Sequence, residues 1–155
     1  MQITLICVGR MKKGPELEIL QTYLKRCPWS VKIVEVEEKR PLKGNERMAR
    51  EGALLLKAIS SQGSNAYVIA LDERGQALRS TEFATKIKGL QEQGLSELVF
   101  LIGGADGYDP EVKKRADLLF SLGALTWPHM MARAMLAEQI YRASSILSGH
   151  PYHKD

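Results

Sequence analysis

Leu98-Val99-Phe100-Leu101-Ile102-Gly103-Gly104-Ala105-Asp106-Gly107-Tyr108-Asp109-Pro110 decides the fold. Five apolar residues run uninterrupted into two glycines, and a third glycine follows. A short, continuous apolar run ended by glycines predicts a strand buried on both faces, as in a parallel sheet. The glycines let the backbone turn sharply, or approach something that a side chain would block. Asp109-Pro110 predicts a helix start, with an N-cap followed by proline at the first helical position. In an open α/β sheet the ligand site lies at the carboxyl ends of the strands. This loop is therefore the first candidate for a small-molecule site.

The same pattern repeats on either side of it. Gln2 to Val8 is a strand ended by Gly9, and Pro15 to Lys25 a helix with Leu17, Leu20 and Leu24 on one face. Val31 to Val36 is a strand, and the charged stretch Glu37 to Asn45, with Pro41 and Gly44, a loop. Asn45 is expected to cap a helix running to about Ile59, with Met48, Leu55, Leu56 and Ile59 inward. Ala66 to Leu71 is a buried strand, and Asp72-Glu73-Arg74-Gly75 is expected to turn out of it. Ser80 is expected to cap a helix ending near Gly94. After the glycine loop come a short helix, Pro110 to about Ala116, and a fifth apolar run, Leu118 to Leu122. An irregular segment, Gly123 to His129, precedes a long helix from about Met130 to Leu147. Alternating strands and helices predict an α/β fold with a parallel sheet and helices on both faces.

The 155 residues suit a single domain over 1–155 with a real core. Hydrophobic content of 45% and charged content of 26% are those of a globular protein in water. A formal charge of +4 permits a polyanionic partner without demanding one. Cys7 and Cys27 have no metal-ligand spacing, and a buried, reduced Cys7 is expected. The short apolar run at the N-terminus, followed by Arg10, is not a signal peptide, and no run nears the ~18 residues of a membrane span. A cytoplasmic protein with no membrane partner is expected.

Three segments carry possible chemistry. Gly103-Gly104-x-x-Gly107 is not the G-x-G-x-x-G of a dinucleotide fold, and it follows a late strand. Gly123 to Pro128 also follows a buried strand, so both loops can open at one sheet edge. Its free backbone groups suit an adenine and a ribose, with Leu125, Trp127 and Leu71 as apolar walls. Core packing alone would equally account for Trp127. The last helix carries an apolar stripe of Ala132, Met135, Leu136, Ile140, Ala143, Ile146 and Leu147, with few charges on its other side. That suits a helix covered by a second subunit. Glu138 and Arg142 on it are spaced i,i+4 and as a surface pair would contribute only about 0.3–0.5 kcal/mol. The tail, His150-Pro151-Tyr152-His153-Lys154-Asp155, is unusual for a chain end: Tyr stacks on bases, Lys pairs phosphate, and His moves protons near neutral pH. His150-x-x-His153 lacks a third metal ligand nearby in sequence, and no metal is expected.

Together the L-I-G-G-x-x-G loop, the segment Ala124-Leu125-Thr126-Trp127-Pro128-His129, and the ending A-E-Q-I-Y-R-A…H-P-Y-H-K resemble the RlmH family. These are ribosomal large-subunit RNA (pseudouridine-N3) methyltransferases of the SPOUT superfamily. The resemblance spans the chain and is strongest from Leu98 to Lys154. It implies a deep C-terminal trefoil knot, which general chain rules argue against. It implies S-adenosylmethionine as methyl donor, a homodimer, and as substrate a pseudouridine of the large-subunit RNA in the assembled ribosome. Carried over residue by residue, cofactor contacts fall on Leu71, Gly103, Gly104, Gly123, Ala124, Leu125, Thr126, Trp127 and Pro128. Catalytic and RNA-side candidates are His129, Arg133, Glu138, Arg142, Tyr152, His153 and Lys154.

Among these, His153 is the first choice for proton handling, with Glu138 or His129 second. Arg142, Arg133 and Lys154 are expected to stabilise an imide anion and neighbouring phosphates, with Arg133 and Lys154 on the RNA, and Tyr152 to orient the base. Lys39, Arg40, Lys43, Arg47 and Arg50 are further RNA candidates or a solvated charged face. The chain departs from the family in having Lys154 where Arg is frequent and Gly123 where Ser is common. From the residues alone, two other classes stay open: a nucleotide-dependent enzyme of ordinary doubly wound fold, and a non-catalytic RNA-binding protein.

Overall fold

Five apolar runs pair side by side in the computed structural model, which describes residues 1–154. The strands are β1 (Gln2–Val8), β2 (Ser30–Val36), β3 (Tyr67–Ala77), β4 (Glu97–Ile102) and β5 (Leu118–Ser121). The helices are α1 (Pro15–Arg26), α2 (Gly44–Ser60), α3 (Ser80–Glu92), α4 (Pro110–Arg115) and α5 (His129–Ser148). The sheet order is β2-β1-β4-β3-β5, with every pairing parallel. β4 is central, and Leu98 to Ile102 are each at most 2% exposed. That is why its sequence is continuously apolar rather than alternating.

The alternation of the strand divides the core in two. Leu98, Phe100 and Ile102 pack with Phe83 and Ile87 of α3 and with Leu136 and Ile140 of α5. Val99 and Leu101 pack with Leu55 and Ile59 of α2 and with Val112 of α4. Phe83 stacks on Phe120 at 5.0 Å, joining α3 to the edge strand β5. α1 seats on α5 through Leu20, Ala134 and Ala137. Cys7 is buried and Cys27 half-buried, both as free thiols, and burial pushes the Cys7 thiol up to about 11.

Three local readings change. Residues 72–75 do not turn out of the sheet: β3 runs on to Ala77, with a register shift between Leu71 and Gln76 where both face Phe120 of β5. A bulge of this kind carries turn-like residues without ending the strand. α2 begins at Gly44, with Lys43 rather than Asn45 in the capping position. α3 is capped by the Arg79 backbone, whose N–H donates to Glu82 Oε2 at 2.7 Å. Ser80 is freed to donate to Gln139 of α5 at 2.8 Å. The Asp109-Pro110 start is as expected, with Glu111 N–H donating to Asp109 Oδ1 at 2.9 Å.

Candidate active site

Parallel strands place all their carboxyl ends on one edge, and the two loops read as ligand-binding meet there. They enclose a cleft of about 500 Å³, within the range of small-molecule sites. Leu71, Gly103, Gly104, Gly123, Leu125, Thr126, Trp127 and His129 line it. Ala124 is exposed and not part of the lining, and Pro128 stands at the N-cap of α5, its carbonyl accepting from Ala132 at 2.9 Å. Ile102, Phe120 and Leu122 complete an apolar wall. The Trp127 ring nitrogen is buried without a hydrogen-bond partner. A buried N–H donor without an acceptor is costly, so one beside a cleft marks a place for a ligand acceptor.

The polar side of the cleft was not read from the sequence. Lys113 pairs with Asp72 at 3.1 Å, and the Arg74 N–H also reaches Asp72 at 2.9 Å. Burial pulls the Asp72 carboxyl up, but these two donors outweigh it and hold it below its usual range. Thr126 donates to Glu73 at 3.2 Å, tying the second loop to the β3 bulge. Ser121 Oγ accepts from Gly123 N–H at 3.1 Å and so sets the exit from β5.

The two glycines of the first loop answer to the protein's own side chains. A Cβ on Gly103 would lie 2.9 Å from the Tyr108 ring, and one on Gly104 would lie 2.2 Å from Glu51 Oε2. Tyr108 is buried and donates to the Leu101 carbonyl at 2.8 Å. Glu51, on α2, is 6% exposed, and its Oε2 has no hydrogen-bond partner. Burial raises its carboxyl above the usual range, more than Arg47 at 3.9 Å lowers it. A group raised in this way favours folding below its unfolded pKa and loses that contribution as the pH rises through the folded value. Glu51→Gln should therefore match the parent's melting temperature near pH 4. At pH 8 it should melt about 2–4 °C higher, the equivalent of ~1 kcal/mol in a domain of this size. Thermal melts at the two pH values check this.

The catalytic candidates gather at the other end of α5. Gly149 takes φ 69°, a left-handed conformation that glycine adopts without strain, and His150 N–H caps the Ser145 carbonyl at 2.9 Å. The tail then folds back so that Tyr152 donates to Glu138 Oε1 at 2.9 Å. Arg142 gives the same oxygen two bonds, from Nε at 2.9 Å and Nη2 at 2.5 Å. Its guanidinium lies 4.8 Å over the Tyr152 ring, and its Nη1 is 3.2 Å from His153 Nδ1. Arginine only donates, so this contact needs an unprotonated Nδ1, which puts the neutral ring's proton on Nε2. The Glu138 bond pushes Arg142 further above its usual range.

Four of the five catalytic candidates thus form one cluster, and His129 stands apart. Arg142 lies thirteen positions beyond His129 on the helix, or about 20 Å along the axis. Lys154 is exposed. The tail's last residue, Asp155, lies outside the described residues.

Arg133, expected on the RNA side, is not on the surface of the chain. It is fully buried, paired with Glu35 at 2.9 Å, and bonded to the carbonyls of Val8 at 2.8 Å and Gly9 at 2.7 Å. These bonds tie α5 to the ends of β1 and β2. Of the charged α2 residues and the loop before them, Arg40 is paired with Glu38 and Arg47 with Asp106. Among the described residues, no group of three or more His, Cys, Asp or Glu side chains could hold a metal ion. No helix among them is long and apolar enough to cross a membrane.

The parallel sheet, with its cleft formed by two loops at the carboxyl edge, defines an α/β protein that binds a small molecule beside a glycine loop. Residues 1–153 match the family described as predicted SPOUT methyltransferase, and the chain belongs to that family. It is 47% identical over 154 residues to the ribosomal RNA large subunit methyltransferase H of Paramagnetospirillum magneticum, covering 99% of each chain. The counterpart from Rhodospirillum centenum is 46% identical over 154 residues, again 99% of each. Among solved structures it is similar to a probable methylase family protein from Haemophilus influenzae Rd KW20, at a TM-score of 0.55 and 13% identity. That match covers 99% of this chain and 70% of the other, and the likeness is one of fold.

Proposed function

We propose that this protein transfers a methyl group from S-adenosylmethionine to N3 of a pseudouridine in the large-subunit RNA of the assembled ribosome. What carries this reading is the cleft of about 500 Å³ between the two loops, in a chain nearly half identical to large-subunit RNA methyltransferases. The cleft suits the donor. Leu71, Ile102, Phe120 and Leu122 offer an apolar slot for an adenine, and the buried Trp127 N–H wants an acceptor. Asp72, Glu73 and Asp106 set carboxylates at the cleft beside Arg74 and Lys113, a polar side for the donor's charged groups. When bound, S-adenosylmethionine supplies an electrophilic methyl on a sulfonium.

The protein must then place the base and manage the N3 proton. Placement of the reacting groups can contribute up to about 7–11 kcal/mol, and a positioned base a further ~10²–10⁴-fold. Glu138 Oε1 already accepts three bonds, so its part is to hold Arg142 and Tyr152 rather than to take a proton. His153 is the better acceptor. For Nδ1 to take the proton, Arg142 must release it, and Nη1 is then free to face the imide anion. Lys154 and the exposed Lys39, Lys43 and Arg50 lie ready for phosphates.

Within one chain the cleft reaches α5 only as far as Ala132, Arg142 stands ten residues or about 15 Å further along the axis, and none of the cluster lines the cleft. A homodimer that sets the tail of one copy over the cleft of the other joins them. Leu125, 68% exposed at the cleft rim, and Met131, 40% exposed on α5, give such a contact apolar surface. The family's C-terminal knot belongs to the same reading. In support, the chain leaves β4, pairs beyond β3, and returns as α5 to pack on α1 and α3. A cytoplasmic site of action follows from the substrate.

The test is methyl transfer from labelled S-adenosylmethionine to assembled ribosomes from cells lacking this activity, with the labelled nucleotide mapped. Label on a pseudouridine N3 of the large-subunit RNA is expected. It should vanish, with S-adenosylmethionine still bound, when residues 152–155 are deleted. Label elsewhere overturns the substrate, and a full rate from the truncated chain overturns the role of the tail.

A further inference from the structure

We propose that Tyr23 of α1 is a positioning residue for methyl transfer, its hydroxyl fixing the Tyr152 phenol and through it the Glu138–Arg142 pair. This rests on the reading that the tail completes the catalytic site. Tyr152 has one phenolic proton, and the Glu138 carboxylate can only accept. The proton therefore goes to Glu138 Oε1 at 2.9 Å, and the Tyr152 oxygen accepts from the Tyr23 hydroxyl at 3.1 Å. The result is a directed chain, Tyr23 to Tyr152 to Glu138, with Arg142 donating into the same carboxylate oxygen.

The rings agree with this. Tyr152 lies 4.7 Å from Tyr141, has Arg142 over it at 4.8 Å, and meets the Tyr23 ring edge-on at 6.4 Å. Tyr23 itself rests against Tyr141 at 5.9 Å and carries Arg26 at 5.9 Å on its ring. Among the described residues that contact the Tyr152 side chain, Tyr141, Arg142 and Glu138 belong to α5 and Tyr23 to α1. One turn earlier on α1, the buried Leu20 packs on Ala134 and Ala137 of α5, so the seating of α1 sets where the Tyr23 hydroxyl stands. A chain end normally frays. Here a second helix supplies a hydrogen-bond partner for the Tyr152 hydroxyl. Tyr23 lines no part of the cleft, so donor binding is independent of it.

The experiment compares the parent, Tyr23→Phe, Tyr152→Phe and the double variant on assembled ribosomes, with melting temperatures for all four. Tyr23→Phe keeps the ring and its packing and removes only the hydroxyl. Its kcat should fall about tenfold, the effect of one lost hydrogen bond. The KM for ribosomes and the affinity for S-adenosylmethionine should stay at parental values. The double variant should be no slower than Tyr152→Phe alone, because Tyr23 acts only through Tyr152. A parental kcat in Tyr23→Phe overturns the proposal. So does a further tenfold loss in the Tyr152→Phe background, or a kcat loss matched by a large fall in melting temperature. If Tyr152→Phe itself runs at the parental rate, the reading of the tail fails and this proposal with it. Loss in Tyr152→Phe without loss in Tyr23→Phe removes the role of Tyr23 alone.

Discussion

Replacing Glu138 with glutamine is expected to lower kcat for methyl transfer by about 10²–10³-fold, the usual cost of removing a group that preorganises charge. S-adenosylmethionine should bind with parental affinity. Both follow from where Glu138 sits. Its Oε1 receives Arg142 twice and Tyr152 once, and its Oε2 receives Gln139 at 2.7 Å. Its Oε1 is where the helix cation and the tail phenol meet. A glutamine keeps the shape but has one acceptor and two donors of its own. One of its positions must set N–H against N–H or O–H, and Arg142 loses its counter-charge. Released, Arg142 no longer meets His153 Nδ1, so the cation loses its placement beside the base. The cleft is lined by none of these residues. Single-turnover rates on ribosomes and calorimetric titration with S-adenosylmethionine separate the two effects. A variant within a few fold of the parental rate would remove Glu138 from the machinery.

Arg133→Ala is expected to cost about 3–5 kcal/mol of stability, as truncating a fully buried long side chain and unpairing the carbonyls it caps does. In a chain of this size that lowers the melting temperature by roughly 10 °C or more. The substitution leaves the Val8 and Gly9 carbonyls without their donor, Glu35 without its partner, and a void beneath α5. Glu35 also accepts from Met11 N–H at 2.8 Å, so the loop after β1 loosens as well. Had Arg133 touched RNA, the variant would fold normally and lose salt-dependent ribosome binding. Thermal melts and ribosome binding at two salt concentrations distinguish these outcomes.

The strands and the glycine loop were legible because burial on both faces leaves an unbroken apolar run, and Asp109-Pro110 is a local signal needing no tertiary context. The cleft was legible because parallel strands must send their carboxyl ends to one edge. The tail stood out by composition, and its cluster follows from residues four apart on one helix. What stayed hidden depends on contacts between distant segments. Glu51 sits in a charged helix and reads as solvated, because its contact with the Gly104 loop joins segments about 50 positions apart. Asp72 to Gly75 reads as a turn because a bulge uses turn residues while the ladder resumes beyond it. Arg133 breaks no pattern, since arginine in a mostly apolar helix looks the same whether it points inward or out. Tyr23 has no local mark at all, because its partner lies 129 positions away.

The distance between the cleft and the tail cluster has a genetic consequence. In the proposed dimer each working centre takes its cleft from one copy and its tail from the other, so damage to the two regions is not equivalent. A chain broken at Gly104 and a chain broken at Glu138 are each inactive alone. Paired with each other, they assemble one centre with both faults and one with neither. If the proposed dimer holds, mutations in this one coding sequence are expected to sort into two complementation groups, a behaviour ordinarily expected of two genes.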